Sequence, residues 1–243
     1  MGWLFGNKKE VDFSFLKTDI HSHMLPGIDD GADGMRESVH LIKGMYELGY
    51  RKMIITPHVR FGSFDNDTGE FENRLQDVRY ALEQVNIPME LEVGAEHTID
   101  EGFYGHFKRG ELKHFGRNKY LLIEFPFTSL PMGIKDTVFE LQSAGYNLIL
   151  AHPERYLYLR EQPDMIKYLH DSNILFQLNI LSLIGFYDKP TQKFAEWLIK
   201  QDYIDIAGSD LHHQKHLDGI AKAKTNKYLY KLTESDRLMN SMF

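Results

Sequence analysis

The sequence lacks cysteine entirely, since none occurs among its 243 residues. That absence excludes disulfide bonds, thiol nucleophiles and thiolate-bound zinc. It also suits a reducing compartment, so we expect the protein to be cytoplasmic. Any bound metal would have to be held by the 12 histidines and the 35 aspartates and glutamates.

Long apolar runs and an excess of basic charge are also missing. The N-terminal stretch MGWLFGNKKE has an apolar run of three residues, which is too short for a signal segment or a membrane span. The net charge is −7, whereas nucleic-acid-binding proteins typically carry an excess of basic residues. We therefore predict no membrane insertion and no nucleic-acid partner, and the 42% hydrophobic content predicts a globular protein.

Short apolar runs alternate with amphipathic stretches along the chain. Helical spacing predicts helices over 35–48 and 71–85, and the C-terminal stretch 227–243 is also predicted to be helical. Apolar strands between helices predict a single α/β domain over 1–243, a TIM-like barrel of seven strands, with a doubly wound open sheet as the alternative. The predicted strands cover 18–20, 53–56, 91–94, 120–125, 147–151, 174–180 and 204–208.

Ligand-type side chains follow these strands. In an α/β barrel the carboxyl ends of the strands converge on one face, where active sites lie, so we expect these side chains to meet there. The candidates are His21, His23, Asp29, Asp30, His58, Glu96, His97, Glu124, His152, Glu154, Arg155, Asp210, His212 and His213.

Taken singly, these residues have ordinary interpretations. A lone histidine after a strand usually makes a structural hydrogen bond, and Asp29-Asp30-Gly31 alone is also typical of a turn. Glu124 is more informative, because a carboxylate within an apolar strand is costly unless it is paired or bound to a metal. His21 and His23 share one face of an extended segment and could bind one cation or two adjacent ones. The whole set predicts a metal centre.

The ligand chemistry narrows the metal and the reaction. Imidazoles and carboxylates without thiolates suit manganese, iron, zinc, cobalt or magnesium, and nine candidate ligands are enough for two or three divalent ions. Clustered divalent ions polarise phosphoryl oxygens and generate hydroxide at neutral pH. The sequence therefore favours phosphoester hydrolysis.

A set of ordered motifs over residues 18–213 resembles the PHP (polymerase and histidinol phosphatase) superfamily. The motifs are DIHSHMLPGIDDGA, TPH, GAEH, IEFPF, AHPER and GSDLH. HSHMLPGIDDG together with AHPER resembles most closely its bacterial capsule and exopolysaccharide tyrosine phosphatases of the CpsB/CapC type. The resemblance implies a distorted (β/α)7 barrel, a three-metal centre and hydrolysis of protein phosphotyrosine. It also implies a bacterial tyrosine autokinase of polysaccharide export as the partner. Our own hypothesis adds manganese as the first candidate metal and a metal-bridging hydroxide as the attacking group.

The resemblance also implies roles for individual residues. Arg155 would orient the phosphate. Apart from the resemblance, we expect Asp29 to lie behind the ligands, and our mechanistic hypothesis makes Asp210 or a nearby histidine the candidate for any general acid. In relatives an arginine commonly follows SD-x-H, and here Lys215 and His216 are the nearest replacements. The implied metal ligands are His21, His23, Asp30, His58, Glu96, Glu124, His152, Asp210 and His212.

Aromatic residues near the strand ends could embrace a phosphotyrosine ring, although packing at the barrel rim is the plainer interpretation. Phe61 and Tyr156 are predicted to contact the substrate; the others are Phe64, Phe127, Phe186 and Tyr187. Two other functions stay open: a phosphatase or phosphodiesterase acting on another phosphoester, such as a histidinol phosphatase, and a metal-stabilised protein that docks on a kinase without catalysis.

Overall fold

In the computed structural model, which describes residues 10–243, nine short strands pair in parallel. The stretch 1–9, which carries most of the segment used to predict the lack of a signal or membrane span, lies outside the described residues. The strands are β1 Thr18–Asp19, β2 Lys52–Ile55, β3 His58–Val59, β4 Glu90–Val93, β5 Glu96–Thr98, β6 Tyr120–Glu124, β7 Asn147–Ala151, β8 Leu175–Asn179 and β9 Ile206–Gly208.

The strands form two sheets, ordered β1-β2-β4 and β3-β5-β6-β7-β8-β9. Residues 56–57 separate β2 from β3, and residues 94–95 separate β4 from β5, so each pair is one strand that passes from the first sheet into the second. The nine segments therefore occupy seven strand positions, which overlap the seven predicted runs. A doubly wound sheet reverses its strand order at one point, whereas these seven positions follow chain order throughout. The predicted α/β barrel-type arrangement is therefore confirmed, and the doubly wound alternative is not.

The ring of strands is not closed by a continuous ladder between β1 and β9. Ser22 and Leu211 form an isolated parallel bridge beyond these strands. We call the junction between β1 and β9 the seam. Within the seam, the carboxylate of Asp19 accepts hydrogen bonds from the Ser209 backbone N–H at 2.9 Å and from the Ser209 hydroxyl at 2.6 Å. A side-chain carboxylate thus takes the place of part of the ladder.

Nine α-helices lie in the described part of the chain. The predicted helices over 35–48 and 71–85 are confirmed as α1 and α2. The prediction of helix throughout 227–243 is confirmed only to Thr233, where α9 ends, and in a short 3-10 helix at Asn240–Met242. The helices are α1 Met35–Leu48, α2 Phe71–Gln84, α3 Phe103–Arg109, α4 Ile134–Ser143, α5 Leu157–Arg160, α6 Pro163–Asp171, α7 Lys189–Lys200, α8 Gln214–Ala223 and α9 Lys227–Thr233.

Beyond α9, Asn240 lies in the seam between the first and last strands, β1 and β9. Its Nδ2 donates to the carbonyl oxygens of Thr18 at 2.9 Å and Ala207 at 2.7 Å, and its Oδ1 accepts from the Ala207 N–H at 2.9 Å. Asn240 therefore links the first and last strands at their amino ends.

Apolar side chains pack in two clusters on opposite faces of the strands. The larger cluster joins the strands to the helices, and α1 contributes Leu41, Ile42 and Met45 to it. The smaller cluster consists of Ile20, Ile54, Phe115, Leu122, Ile149, Ala151 and Ile206. Side chains alternate along a strand, so Glu124 lies on the same face as Leu122, further toward the carboxyl end.

Within residues 10–243, no helix combines the length and the apolar character that a membrane crossing requires.

Candidate metal centre

The segment after β1 delivers two histidines to the same place. His21 and His23 are fully buried, and their Nε2 atoms lie 3.2 Å apart. The segment is held extended by the bridge of Ser22 to Leu211 and by the bond from the His23 N–H to the Leu211 carbonyl at 2.9 Å. Residues two apart in an extended segment share a face, which is why both imidazoles point inward.

The structure brings all nine predicted ligands together in four overlapping groups. Within each group the candidate ligand atoms lie within 4.8 Å of one another. Shared members connect the groups, as expected for two or three neighbouring cations, and the binding itself stays a prediction. The groups are His23 with Asp30, His58 and His212; His21 with His23 and Glu96; His21 with His152 and Asp210; and His58 with Glu96 and Glu124.

The cluster is buried on one side and open on the other. Glu96 is fully buried at its base, whereas the side chain of Asp30 is 58% exposed at its mouth. Asp30 Oδ1 lies 3.3 Å from His212 Nε2 and 3.6 Å from His58 Nε2. The cleft above the cluster has a volume of about 270 Å³. A small anionic group can therefore reach the ligands from solvent.

Two of the ligands depend on unusual backbone geometry. His152 and Asp210 have positive φ angles of 33° and 49°. This region is sparsely populated by residues other than glycine, and such strain concentrates at functional sites. His152 directly follows β7 and Asp210 follows β9 by one residue, so the left-handed turns occur where the strands deliver their ligands.

Asp29, which the sequence predicts to lie behind the ligands, orients two of them. Its Oδ2 accepts hydrogen bonds from His23 Nδ1 at 2.8 Å and from the His58 backbone N–H at 3.0 Å. Its Oδ1 accepts from the Gly31 N–H at 3.0 Å, so the turn is present as well. Gly31 is needed there, because a β-carbon would lie 1.9 Å from the His23 carbonyl oxygen.

Gln177 orients His21 in the same way that Asp29 orients His23. The sequence did not predict this role. Gln177 Oε1 accepts from His21 Nδ1 at 2.8 Å, which leaves His21 Nε2 facing the cluster. Partners of this kind fix the tautomer and orientation of metal-binding imidazoles. The available signal was a polar residue inside the apolar run 174–180, the same signal that drew attention to Glu124.

Opposite charges in this buried cluster perturb one another strongly. Burial lowers the pKa of His21, but Glu96 and Asp210 outweigh burial and raise the pKa to about 10. Burial also opposes the charge on His58, yet Glu96 raises its pKa to about 9. Burial raises the pKa of Glu96 and Asp210, but the neighbouring histidines hold both well below their usual range. The carboxylates therefore stay ionised and demand positive charge beside them.

The donor set fits divalent cations. Glu96 Oε2 lies 3.2 Å from His21 Nε2 and 3.0 Å from His58 Nδ1, yet it is buried without a hydrogen-bond partner in the described part of the chain. His152 Nδ1 is also buried without one. Buried polar atoms rarely stay unsatisfied in folded proteins, and for ionised Glu96 a bound cation would supply the missing interaction.

Arg155 lies at the edge of the cluster in a fixed position. Its Nη1 donates to Asp210 Oδ2 at 3.0 Å. Its guanidinium lies 4.6 Å from the ring centroid of Phe127 and 4.4 Å from that of Tyr187. Asn179 Nδ2 completes the arrangement by donating to Asp210 Oδ2 at 2.9 Å and to the Tyr187 hydroxyl oxygen at 2.7 Å. Burial opposes the charge on Asp210, but the neighbouring histidines and Arg155 lower its pKa, so the ionised carboxylate suits the binding of a cation.

Three predicted substrate contacts lie outside the lining of the cleft. Tyr156 is fully buried, and its hydroxyl accepts a hydrogen bond from the Phe125 N–H at 3.0 Å, so it packs in the core. Lys215 is exposed on α8, and its side chain does not line the cleft. Phe61 is also exposed and does not line the cleft, and its backbone N–H donates to Asp100 Oδ2 at 2.9 Å.

Other strand-end residues have structural roles. His97 Nε2 accepts a hydrogen bond from the Lys113 N–H at 3.0 Å and lies outside the four groups. Glu154 Oε1 accepts from the Asn179 N–H at 2.9 Å and from the Ser182 hydroxyl at 2.7 Å. These contacts hold the chain around Arg155 and β8 without contributing a ligand.

Three further basic residues line the cleft: Arg60, His213 and His216. The sequence analysis missed Arg60. A signal was available, since Arg60 follows His58 by two residues, the same spacing that places His21 and His23 on one face.

Comparison with known proteins identifies the family. The profile of a family described as capsular polysaccharide synthesis, CpsB/CapC, matches residues 17–240. The chain belongs to the CpsB/CapC family. The match spans every strand and every predicted ligand, so the family covers the whole site.

Relatives of this CpsB/CapC chain align over most of its length. Tyrosine-protein phosphatase YwqE of Bacillus subtilis is 29% identical over 229 residues, which covers 91% of this chain and 90% of YwqE. Tyrosine-protein phosphatase CpsB of Streptococcus pneumoniae is 27% identical over 230 residues, with coverage of 87% and 94%.

Solved structures confirm the expected PHP-type fold. A crystal structure from work on YwqE and CpsB, described as unique metal-dependent tyrosine phosphatases, matches with a TM-score of 0.81 and 28% identity, covering 93% of this chain and 90% of that one. A histidinol phosphate phosphatase of Lactococcus lactis, solved with zinc, histidinol and phosphate, has a TM-score of 0.53 at 14% identity, with coverage of 86% and 94%. This second likeness shows the fold alone.

Proposed function

We propose that this protein is a metal-dependent protein-tyrosine phosphatase. The observation that carries the proposal is the convergence of nine imidazole and carboxylate ligands beside Arg155 in one open cleft. Membership of the CpsB/CapC family and the similarity to YwqE and CpsB support the same activity. A thiol-based tyrosine phosphatase mechanism is impossible here, because the chain has no cysteine.

The ligand groups would hold two or three divalent cations, with manganese as the first candidate and iron, zinc, cobalt or magnesium as alternatives. When bound, such ions supply Lewis acidity toward the phosphoryl oxygens and lower the pKa of the attacking water. The protein keeps Glu96 and Asp210 ionised for this purpose. Asp29 and Gln177 hold His23 and His21 in the tautomers that aim Nε2 at the cluster.

Arg155 would bind and orient the phosphoryl group. A guanidinium offers five N–H donors in a rigid fork that matches phosphate oxygens. Its contact with Asp210 uses one donor, and the flanking rings of Phe127 and Tyr187 limit its movement. Because the guanidinium is already in place, little side-chain entropy would be lost when the phosphate binds.

The cleft also suits an aromatic leaving group. The ring of Phe127, which is 42% exposed, stacks on His152 at a centroid distance of 5.8 Å and lies beside Arg155. It offers an apolar surface next to the anion site, where a phosphotyrosine ring can lie. The phenolate of tyrosine leaves with a pKa of about 10, so strong proton donation to it is not required.

The protein substrate in this proposal is a tyrosine-phosphorylated protein, namely a bacterial tyrosine autokinase that controls capsule or exopolysaccharide synthesis. The family's description as capsular polysaccharide synthesis supports this assignment. A cytoplasmic site of action is part of the proposal, and the cysteine-free composition suits it.

One set of assays tests the proposed function. The purified protein is given a phosphotyrosine peptide, a matched phosphoserine peptide, histidinol phosphate and a phosphodiester, each with added Mn²⁺ or with a chelator. We expect phosphotyrosine to be the best substrate and the chelator to abolish turnover. Preference for histidinol phosphate or the diester, or activity that resists the chelator, would overturn the proposal. No turnover on any substrate with Mn²⁺ would favour a non-catalytic docking protein.

A further inference from the structure

A second guanidinium reaches the cleft from another strand position. Arg60 follows the ligand His58 by two residues, and its side chain is 32% exposed. Its Nη2 donates to Glu124 Oε2 at 2.7 Å, whereas Arg155 donates to Asp210. Glu124 and Asp210 belong to different ligand groups. The two guanidiniums therefore pair with two different parts of the metal cluster.

The backbone of Arg60 is fixed by a short turn. Its N–H donates to the Phe64 carbonyl at 2.9 Å, and its carbonyl accepts from the Phe64 N–H at 2.9 Å. Gly62, with a φ of +74°, permits the tight reversal between them. The neighbouring Phe61 N–H is anchored to Asp100 Oδ2 at 2.9 Å. The guanidinium thus extends toward the cluster from a well-defined position.

Arg60 retains unused hydrogen-bond donors. Its Nε donates to Thr98 Oγ1 at 3.2 Å, and one Nη2 hydrogen serves Glu124. A guanidinium has five N–H donors, so three have no protein acceptor among residues 10–243. The side chain lines the same cleft as Arg155. An anion that enters this cleft can accept hydrogen bonds from these donors.

The other basic groups near the cleft are less suited to binding an anion there. Lys215 is exposed and does not line the cleft. His216 lines the cleft, but it is largely buried, and its Nδ1 lies 3.1 Å from the Asp210 carbonyl oxygen and 3.2 Å from the His212 backbone nitrogen. Arg60 is the group that combines a permanent charge, exposure to the cleft and free donors.

We propose that Arg60 is a second phosphate-binding residue, which holds the phosphoryl group together with Arg155. The inference rests on the proposed function for its substrate, a phosphotyrosine side chain, but the anion contact itself can be tested separately. The rival role is purely positional, in which Arg60 only orients Glu124 as a ligand.

Binding of inorganic phosphate to the Mn²⁺-loaded protein separates the two roles. The variants are Arg60→Gln, Arg60→Lys, Lys215→Gln and, as a matched surface control, Arg74→Gln, which alters an exposed arginine on α2. Phosphate affinity is measured by calorimetry, and the metal content of each protein is measured by elemental analysis. KM and kcat on a phosphotyrosine peptide are measured alongside.

We expect Arg60→Gln to weaken phosphate binding by roughly 10- to 100-fold, the loss typical of a hydrogen bond to a charged group, with unchanged metal content. Arg60→Lys should recover part of the affinity, because lysine keeps the charge but not the fork. Arg74→Gln should match the unaltered protein. KM should rise for Arg60→Gln, because the contact forms when the substrate binds.

Three results would overturn the inference: unchanged phosphate affinity in Arg60→Gln, loss of metal from that variant, or a loss of phosphate affinity in Lys215→Gln that Arg60→Gln does not show. Failure of the proposed function is a different result. If phosphate binding depends on Arg60 but phosphotyrosine is not hydrolysed, the anion site stands and the proposed activity fails. If phosphotyrosine is hydrolysed and Arg60→Gln binds phosphate normally, only the inference fails.

Discussion

The two ends of the ring of strands bury opposite kinds of side chain. Toward the amino ends, Ile20, Leu122, Ile149 and Ile206 pack with Phe115 in an apolar cluster. Toward the carboxyl ends, the same strand positions lead into histidines and carboxylates that the protein alone leaves with unsatisfied atoms. One end is thus filled by apolar packing, whereas the other gathers ligand-type side chains that fit the proposed cations and anionic substrate.

The largest effect is expected when a carboxylate at the base of the ligand cluster is replaced, because this change affects the carboxyl end alone. Glu96→Gln keeps the shape of the side chain but removes a charge that faces His21, His58 and His152. We expect phosphatase activity to fall by at least about 100-fold, more than is typical for outer-shell changes, together with a fall in bound metal. Activity on a phosphotyrosine peptide and metal content are the measurements.

The matched control is Glu154→Gln, which alters an equally buried carboxylate outside the four ligand groups. It should leave the metal content unchanged. Equal metal loss in the two variants would mean that burial of the charge matters and not its place in the cluster.

A smaller effect is expected from the residue behind the ligands. Asp29→Asn removes the charge that supports His23 and the His58 backbone. Loss of such a partner typically costs 10- to 100-fold in metal affinity, and we expect that loss in a calorimetric titration with Mn²⁺. Asp100→Asn is the control, because Asp100 accepts backbone hydrogen bonds in the same way but contacts no ligand. An equal loss in both variants would contradict the orienting role of Asp29.

The metal affinity of the site at the carboxyl ends of the strands should also depend on pH. In the metal-free protein the pKa values of about 10 for His21 and about 9 for His58 mean that both imidazoles carry protons at pH 7. Cations bind deprotonated imidazole, so binding must release these protons. Affinity should rise by up to about tenfold per pH unit for each proton released, and the gain should fade as pH approaches the two pKa values.

Proton release is measured by calorimetry in buffers of different ionisation enthalpy. Binding without proton release at pH 7 would show that these histidines are neutral before the metal arrives.

The sequence could predict the two ends to different degrees. The apolar runs indicated all seven strand positions. The ligands could be predicted because histidines and carboxylates recur at or just after the ends of these apolar strands. The sequence did not reveal that Tyr156 is buried in the core or that Lys215 is exposed to solvent, because nearness to a motif does not show which way a side chain faces. Gln177 and Arg60 were missed because their roles depend on contacts across the ring, with His21 and Glu124. The seam contacts of Asn240 were not predicted because its partners lie more than 30 residues away in sequence.

The smallest expected effect concerns the amino end, where Asn240 links Thr18 to Ala207. Asn240→Ala removes three hydrogen bonds and leaves buried backbone groups of both strands unpaired. We expect a loss of about 1–3 kcal/mol in the free energy of unfolding, measured by urea denaturation, with unchanged metal content. The seam keeps its other links, between Asp19 and Ser209 and between Ser22 and Leu211, so the ligands should stay in place. Loss of metal from this variant would show instead that the two ends are coupled, and that the amino end helps to position the metal centre.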